Sequence, residues 1–310
     1  MAVLAWGNAP DPHLPPTAYR IPAVGVFARA PIAGQAKTRL IPLLGPQGAA
    51  GFQAALFSDT LRKVAALKGH VQPYLFLTGH SIPFHGSVVR ASRPLLGIST
   101  GRSKSQGSQN QVFARRAASG ARRFRESERD ARAAFAWPPA CVGDFRIIRQ
   151  QGKDLGARLE NAFRRLLLLH PSCVVIGTDS PLIPGRVLRQ ALRELRACES
   201  VLGPCPDGGY YLIGLRRPAD QRKLRGIFRS VRWSTAFALR DTLRNLLRLG
   251  LSCSVLAGCA DVDLPRDLER LKKNLSRNPP ARRLAPATWK FLKASVVRRP
   301  LQKPRAWQKE

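Results

Sequence analysis

The chain has 310 residues, 44% of them hydrophobic, enough for one large α/β domain or two small ones. No run approaches the roughly 18 uncharged apolar residues of a membrane-spanning helix, the start MAVLAWGNAPDPH has no basic stretch before its short apolar one, and the six cysteines contain no CxxC pair. These features predict a cytoplasmic protein with no membrane span, disulfide framework or structural zinc. The formal charge of +33 attracts polyanions of any kind. Its basic residues are nevertheless spread along the chain, with no zinc finger, RNP-type strand or basic stripe interleaved with aromatics, so a specific nucleic-acid partner is not expected. A basic nucleic-acid-binding protein is the non-enzyme alternative.

Residues 1–20 read as an irregular, proline-rich leader. AVGVFA from Ala23 reads as a strand and runs into ARAPIAGQAKTRL, whose turn at Gly34 delivers Lys37 and Arg39 beyond the strand's carboxyl end. Open α/β sheets bind ligands there. The spacing is not that of a Walker loop, but amides near Gly34 and two cations can hold a di- or triphosphate; a solvated basic turn is the plain alternative. Pro46 to Ala66 has helical period, and YLFLTG from Tyr74 reads as the next strand. From about 80 to 136 the chain turns polar, Gly/Ser-rich and then densely charged, which reads as a basic insertion. His80 and His85 stand at its start, and nothing nearby orients either as a base.

The segment RQQGKDLGARLENAF opens a helix over Leu155 to Leu169 and offers Asp154, Gly156 and Arg158 to a base or phosphate, with a capped helix start as the alternative. CVVIGTD, a strand from Cys173, ends in Asp179, which either faces a ligand or caps a helix begun near Pro181. After a helix over Gly185 to Ala197, VLGPCPDGGYYLIGL sets Asp207, Gly208 and Gly209 between two apolar strands. A tight hairpin explains the glycines, and close approach of backbone to substrate is the functional reading, with Asp207 as contact or base. A helix over Thr235 to Leu249 and the strand-like SCSVLAGCA lead to ADVDLPRDL, which offers Asp261 and Asp263 ahead of a helix over Pro265 to Asn274; Asp267 falls inside that helix as a structural residue. Residues 277–310 form a basic tail. Mg²⁺ or Mn²⁺ is commonly held by one or two carboxylates together with substrate phosphates, so acids at separate strand ends suffice for a metal.

The alternation of strands and helices predicts a layered α/β sheet. Taken in order, APIAGQAKTRL, QQGKDLGARL, GTDSPLIP, GPCPDGGYYLIGL, RWST and DVDLPRDL resemble DUF2064, a bacterial family also described as rSAM/selenodomain-associated transferase 1, some of whose members are labelled arsenosugar-biosynthesis glycosyltransferases. The resemblance covers roughly residues 23–274 apart from the insertion. It implies a GT-A nucleotide-diphospho-sugar transferase fold, a Rossmann-like three-layer sandwich with a mixed central sheet, as a single domain over 21–276. It also implies Mg²⁺ or Mn²⁺ at Asp179, and a distant similarity to phospholactate guanylyltransferases and molybdenum-cofactor nucleotidyltransferases implies phosphates at Lys37 and Arg39 and a second metal contact at Asp261 and Asp263. The activity implied by the DUF2064 resemblance is metal-dependent transfer of a sugar from a nucleotide-diphospho-sugar to a small-molecule acceptor; in such a reaction Asp207, read above as contact or base, is expected to orient or deprotonate the acceptor. The distant similarity implies the alternative, an NTP joined to a phosphorylated small molecule with release of pyrophosphate. The chain departs from the family's usual DVDTPEDL at Leu264 and Arg266, which removes a hydroxyl and reverses a charge, and has Ala33-Gly34 where PG is common.

Overall fold

The computed structural model describes residues 20–78, 140–218, 220 and 222–296; the leader, the expected insertion with His80 and His85, and the tail beyond 296 lie outside the described residues. Seven strands form one sheet: β1 (Ala23–Arg29), β2 (Gln72–Thr78), β3 (Arg146–Arg149), β4 (Ser172–Ile176), β5 (Ser200–Pro204), β6 (Tyr210–Arg216) and β7 (Cys253–Val255). Their order across the sheet is β3-β2-β1-β4-β6-β5-β7. β6 runs antiparallel to both of its neighbours, and every other pairing is parallel. The expected mixed sheet is therefore present.

The eight described α-helices are α1 (Ile41–Ala65), α2 (Leu155–Leu169), α3 (Gly185–Ala197), α4 (Lys223–Phe228), α5 (Ala238–Arg248), α6 (Pro265–Arg277), α7 (Pro279–Leu284) and α8 (Pro286–Val296). Two layers of apolar side chains lie on opposite faces of the sheet because successive strand residues point to opposite sides. On one face Val24, Val26 and Val174 meet Phe57 and Leu61 of α1 and Leu188 and Leu195 of α3. On the other, Ala23, Tyr74 and Val175 meet Phe163 and Leu166 of α2, Leu224 and Phe228 of α4, and Leu246 of α5. The sheet is thus covered on both sides, which is why its central strands read as unbroken apolar runs.

Several bounds differ from the sequence expectation for local physical reasons. The helix expected from Thr235 starts at Ala238, because Ser234 is left-handed (φ 61°) and the Thr235 hydroxyl donates to the Arg232 carbonyl and accepts from Phe237 N–H. β3 and α4 were not anticipated: β3 is a four-residue edge strand whose Ile147 is exposed, and α4 has six residues. Within the expected tail, residues 279–296 fold. α7 and α8 join α1 and α6 in a third apolar cluster of Phe52, Leu56, Leu271, Leu275, Ala281 and Leu292. A buried carboxylate ties α8 down, since both oxygens of Asp59 in α1 accept amides at its start, from Ala287 at 3.0 Å and Thr288 at 2.9 Å.

Basic side chains close the carbonyl ends of five helices. Arg217 donates to Leu167 and Leu168 carbonyls in α2, Arg216 to Arg196 in α3, Lys223 to Leu249 after α5, Arg282 to Leu275 and Ser276 in α6, and Arg62 to Arg283 and Leu284 in α7. A helix ends with unsatisfied carbonyls and a partial negative charge, and a cationic donor answers both.

Candidate functional site

The chain leaves β1 toward α1 on one face, while α2, which leads into β4, covers the other. Where the neighbouring strands β1 and β4 end, the connections diverge and open a crevice. A cleft of about 710 Å³ occupies it, walled by the turn after β1, the segment after β4, the β5–β6 hairpin, the loop at residues 233–236 and the acidic segment after β7.

Three of the expected residues meet at one point. Lys37 Nζ lies 2.6 Å from Asp179 Oδ1 and 2.7 Å from Asp263 Oδ1, and donates to the Val262 carbonyl at 2.8 Å. The lysine is nearly enclosed, with its side chain 6% exposed against 44% and 41% for the two aspartates. Burial acts to lower its pKa, but Asp179 and Asp263 outweigh burial and the net displacement is upward. The ammonium stays charged. This contact staples the turn after β1 to the segments that follow β4 and β7, and Val262 N–H donating to the Asp179 carbonyl adds a backbone tie between the last two.

Asp261 points to a different group. Ligand atoms of Cys205, Asp207 and Asp261 lie within 4.8 Å of one another, and among the described residues this is the cluster able to offer three donors to a metal. Burial foremost, then the charges of Asp207, Asp263 and Asp179, pushes the Asp261 carboxyl up to about 6. Burial, with Asp261 and Asp207 adding to it, also drives the Cys205 thiol well up, so it is protonated. The folded state therefore binds more protons than the unfolded chain between about 4 and 6, and Asp261 makes folding less favourable as pH rises through that window. Asp261→Asn is expected to gain stability relative to the parent from pH 4 to 6 and to hold a constant gain above it. Urea midpoints across that range check this, and a pH-independent difference would count against it.

Of the remaining expected residues, Arg39 is exposed on the cleft wall, while Gly34 sits in the preceding turn with φ 80° and open space around it. Asp154 caps α2, accepting Ala157 N–H at 2.8 Å, so the capped-helix alternative describes it. Gly156 is buried where a side chain would stand 2.6 Å from Trp233 Nε1, which makes it a close-packing position. Arg158 donates to the Gly152 carbonyl and lines a smaller pocket of about 260 Å³ beside the cleft, with Phe27, Thr78, Gln150 and Tyr210. Gly208 and Gly209 form the hairpin turn; Asp207 accepts Gly209 N–H at 3.0 Å. At the two departures, Asp267 accepts Leu264 N–H at 2.8 Å, so a residue within α6 caps its start without a Leu264 hydroxyl, and Arg266 lies 3.8 Å from Asp267. Arg29, Cys205, Trp233 and Gln53, which donates to Thr178 at 3.0 Å, line the cleft without having been singled out. Arg29 is the last residue of β1 and exposed, a signal the strand boundary already carried.

This is the fold of nucleotide-diphospho-sugar transferases. The chain is similar to a candidate nucleotide-diphospho-sugar transferase of Desulfovibrio desulfuricans G20, at 23% identity over 89% of this chain and 95% of that one, with a TM-score of 0.63. The family model DUF2064, described as an uncharacterized protein conserved in bacteria, matches residues 112–235. That span holds Asp154, Asp179, the Asp207–Gly209 turn and RWST, and stops short of both Lys37 and the Asp261–Asp263 segment. Weaker likenesses are to the 4-diphosphocytidyl-2C-methyl-D-erythritol synthase of Anaerococcus prevotii DSM 20548 (9% identity, 82% of this chain and 96% of that one, TM-score 0.43) and to a Mycobacterium tuberculosis H37Rv protein in complex with manganese (18%, 81% and 97%, TM-score 0.38). No curated protein matches the sequence. Among the described residues, no helix is long and apolar enough to cross a membrane.

Proposed function

We propose that the chain is a metal-dependent glycosyltransferase that takes a sugar from a nucleotide-diphospho-sugar and gives it to a small-molecule acceptor. The observation that carries this is the convergence of four carboxylates, from Asp179, Asp207, Asp261 and Asp263, with exposed Arg29 and Arg39 in one cleft at the carboxyl ends of β1 and β4. Acids alone would repel a diphosphate. Arginines alone would bind one without needing a metal.

The nucleoside fits the smaller pocket, whose walls are mainly apolar and whose polar groups include Thr78, Gln150 and Arg158. The Gln150 amide already donates to the Phe76 carbonyl at 2.9 Å, which fixes its plane. Arg29 and Arg39 meet the phosphates at the cleft wall, Arg29 being held by a bond to the Gln35 carbonyl. Carboxylate oxygens suit Mn²⁺ or Mg²⁺, whereas the neutral Cys205 thiol does not, and Asp207 and Asp261, with no internal cation beside them among the described residues, are the pair that would hold the ion. When bound, such an ion supplies positive charge to the departing nucleoside diphosphate. That role moves Asp207 from acceptor base to metal-facing carboxylate. Trp233 and the turn at 234–236 close the far side of the cleft and face the acceptor.

A thermal-shift panel of UDP-, GDP-, ADP- and dTDP-sugars and free NTPs, each with and without Mn²⁺, tests the reading. One sugar nucleotide stabilising the protein only with Mn²⁺ is the expected result. Stabilisation by an NTP and by no sugar nucleotide would reassign the reaction to nucleotidyl transfer, and indifference to all of them would remove the transferase reading.

A further inference from the structure

α3 presents a row of charge that the fold does not use. Arg186, Arg189, Arg193 and Arg196 are all exposed, while Leu188, Ala191 and Leu195 of the same helix are buried against the sheet. At 3.6 residues per turn the four arginines fall within an arc of about 80° and span about 15 Å of helix. Spacings of three and four residues make them neighbours, and like charges so spaced destabilise a helix. Arg186 also stands in the first turn, the end at which a helix disfavours a cation. Among the described residues, no carboxylate or carbonyl holds any of the four. Glu194, the one acid of α3, accepts the Ser254 hydroxyl at 3.1 Å instead. Position 190, where a glutamate would reach both Arg186 and Arg193, holds glutamine.

We propose that this ridge docks the protein on an anionic bilayer surface, with α3 lying flat and its four guanidiniums among the phosphate headgroups. Shape and charge together select that partner. The outward face of a single helix is convex and straight, so a flat sheet of negative charge meets all four cations at once. A nucleic-acid strand calls for a groove along its backbone and rings that stack on its bases, and α3 has no aromatic residue. Nor does α3 insert, since its apolar side is already spent on Val174, Val201 and Leu212. The attraction is electrostatic: each arginine near such a surface strengthens binding about fivefold, and four together on the order of several hundredfold. Docking of this kind does not depend on the transferase reading above.

Cosedimentation of the full chain with vesicles of phosphatidylcholine and phosphatidylglycerol in equal parts tests this, at about 0.15 M salt so that distant charges are screened. Changing all four α3 arginines to glutamine is expected to weaken vesicle binding roughly a hundredfold or more, and changing them to lysine to preserve most of it. Arg165, Arg225, Arg229 and Arg248 are exposed on or beside α2, α4 and α5, across the sheet. Their change to glutamine removes the same net charge and should weaken binding less than about tenfold. Equal losses in the two glutamine variants overturn the proposal, because net charge and not the ridge then binds the lipid. A parent that ignores these vesicles, or binds phosphatidylcholine alone as well, overturns it too. A larger loss toward a random-sequence DNA duplex than toward vesicles assigns the ridge to nucleic acid and has the same effect. The α3 glutamine variant should show a urea midpoint at or above the parent's, since repulsion is relieved. If it does not fold, the pairs Arg186 with Arg189 and Arg193 with Arg196, changed separately, carry the test, each expected to lose roughly thirtyfold and overturning the proposal if neither loses any.

Discussion

Gly208→Ala is expected to destabilise the protein by about 3 kcal/mol and to abolish nucleotide binding even in the molecules that remain folded. Two costs combine. Gly208 has φ 86°, a region in which a side chain costs roughly 1–2 kcal/mol. Its Cβ would also stand 2.2 Å from the Ala236 carbonyl oxygen and 2.6 Å from the Ala236 Cα, and since both belong to backbone the obstruction cannot rotate away. Forced overpacking of that kind costs roughly 1–3 kcal/mol. The contact matters to the site because Gly208 also accepts Leu239 N–H at 2.9 Å, so the hairpin that carries Cys205 and Asp207 is fixed to the loop that carries Trp233 and Thr235. Pushing them apart opens the cleft. Urea denaturation gives the stability change and calorimetry the binding. Gly209→Ala is the control, since its Cβ meets nothing closer than the Asp207 Oδ1 at 3.2 Å, a side-chain atom that can yield. Equal losses in the two variants would show that the hairpin is not pinned at Ala236.

Asp59→Ala should cost a similar amount, about 3 kcal/mol, without touching the cleft. The Asp59 side chain is 1% exposed and accepts the Ala287 and Thr288 amides, two donors that α8 cannot satisfy internally. Hydrogen bonds to a charged group contribute about 1.5–3 kcal/mol, and stranding buried donors costs more than the bond itself returns. The expected signature is local as well as global. α8 should become open to proteolysis and its amides to hydrogen exchange well below the urea midpoint, while nucleotide affinity measured under native conditions stays within about twofold. Loss of affinity in step with stability would mean that α8 supports the cleft.

The contrast between these two sites tracks what was readable from sequence. β1, β4 and the β5–β6 hairpin are continuous apolar runs bounded by turn residues, and each shows its burial in its own composition. β3 is too short to do so, with two isoleucines between arginines at an exposed edge. α7 and α8 hide for another reason. Their segment ARRLAPATWKFLKAS is charged and broken by Pro286, and the group that anchors it, Asp59, lies 228 positions earlier. Nothing local encodes that partnership. The cleft followed the same division. Asp179, Asp207, Asp261 and Asp263 were visible because acids after apolar runs stand at strand ends. Their sorting was not visible, because Lys37 meets Asp263 across 226 positions. Asp154 went the other way: its placement just before a helical pattern is the ordinary signature of a cap, and a cap is what it forms.

Five of the 52 lysines and arginines also take on a different meaning from the one a net figure suggests. Arg62, Arg216, Arg217, Lys223 and Arg282 lie against helix ends, where they serve as fasteners for the scaffold. A version of this protein made less basic for handling would therefore have to spare these five, and take its neutral replacements from exposed helix positions such as Arg189, Arg193 and Arg248.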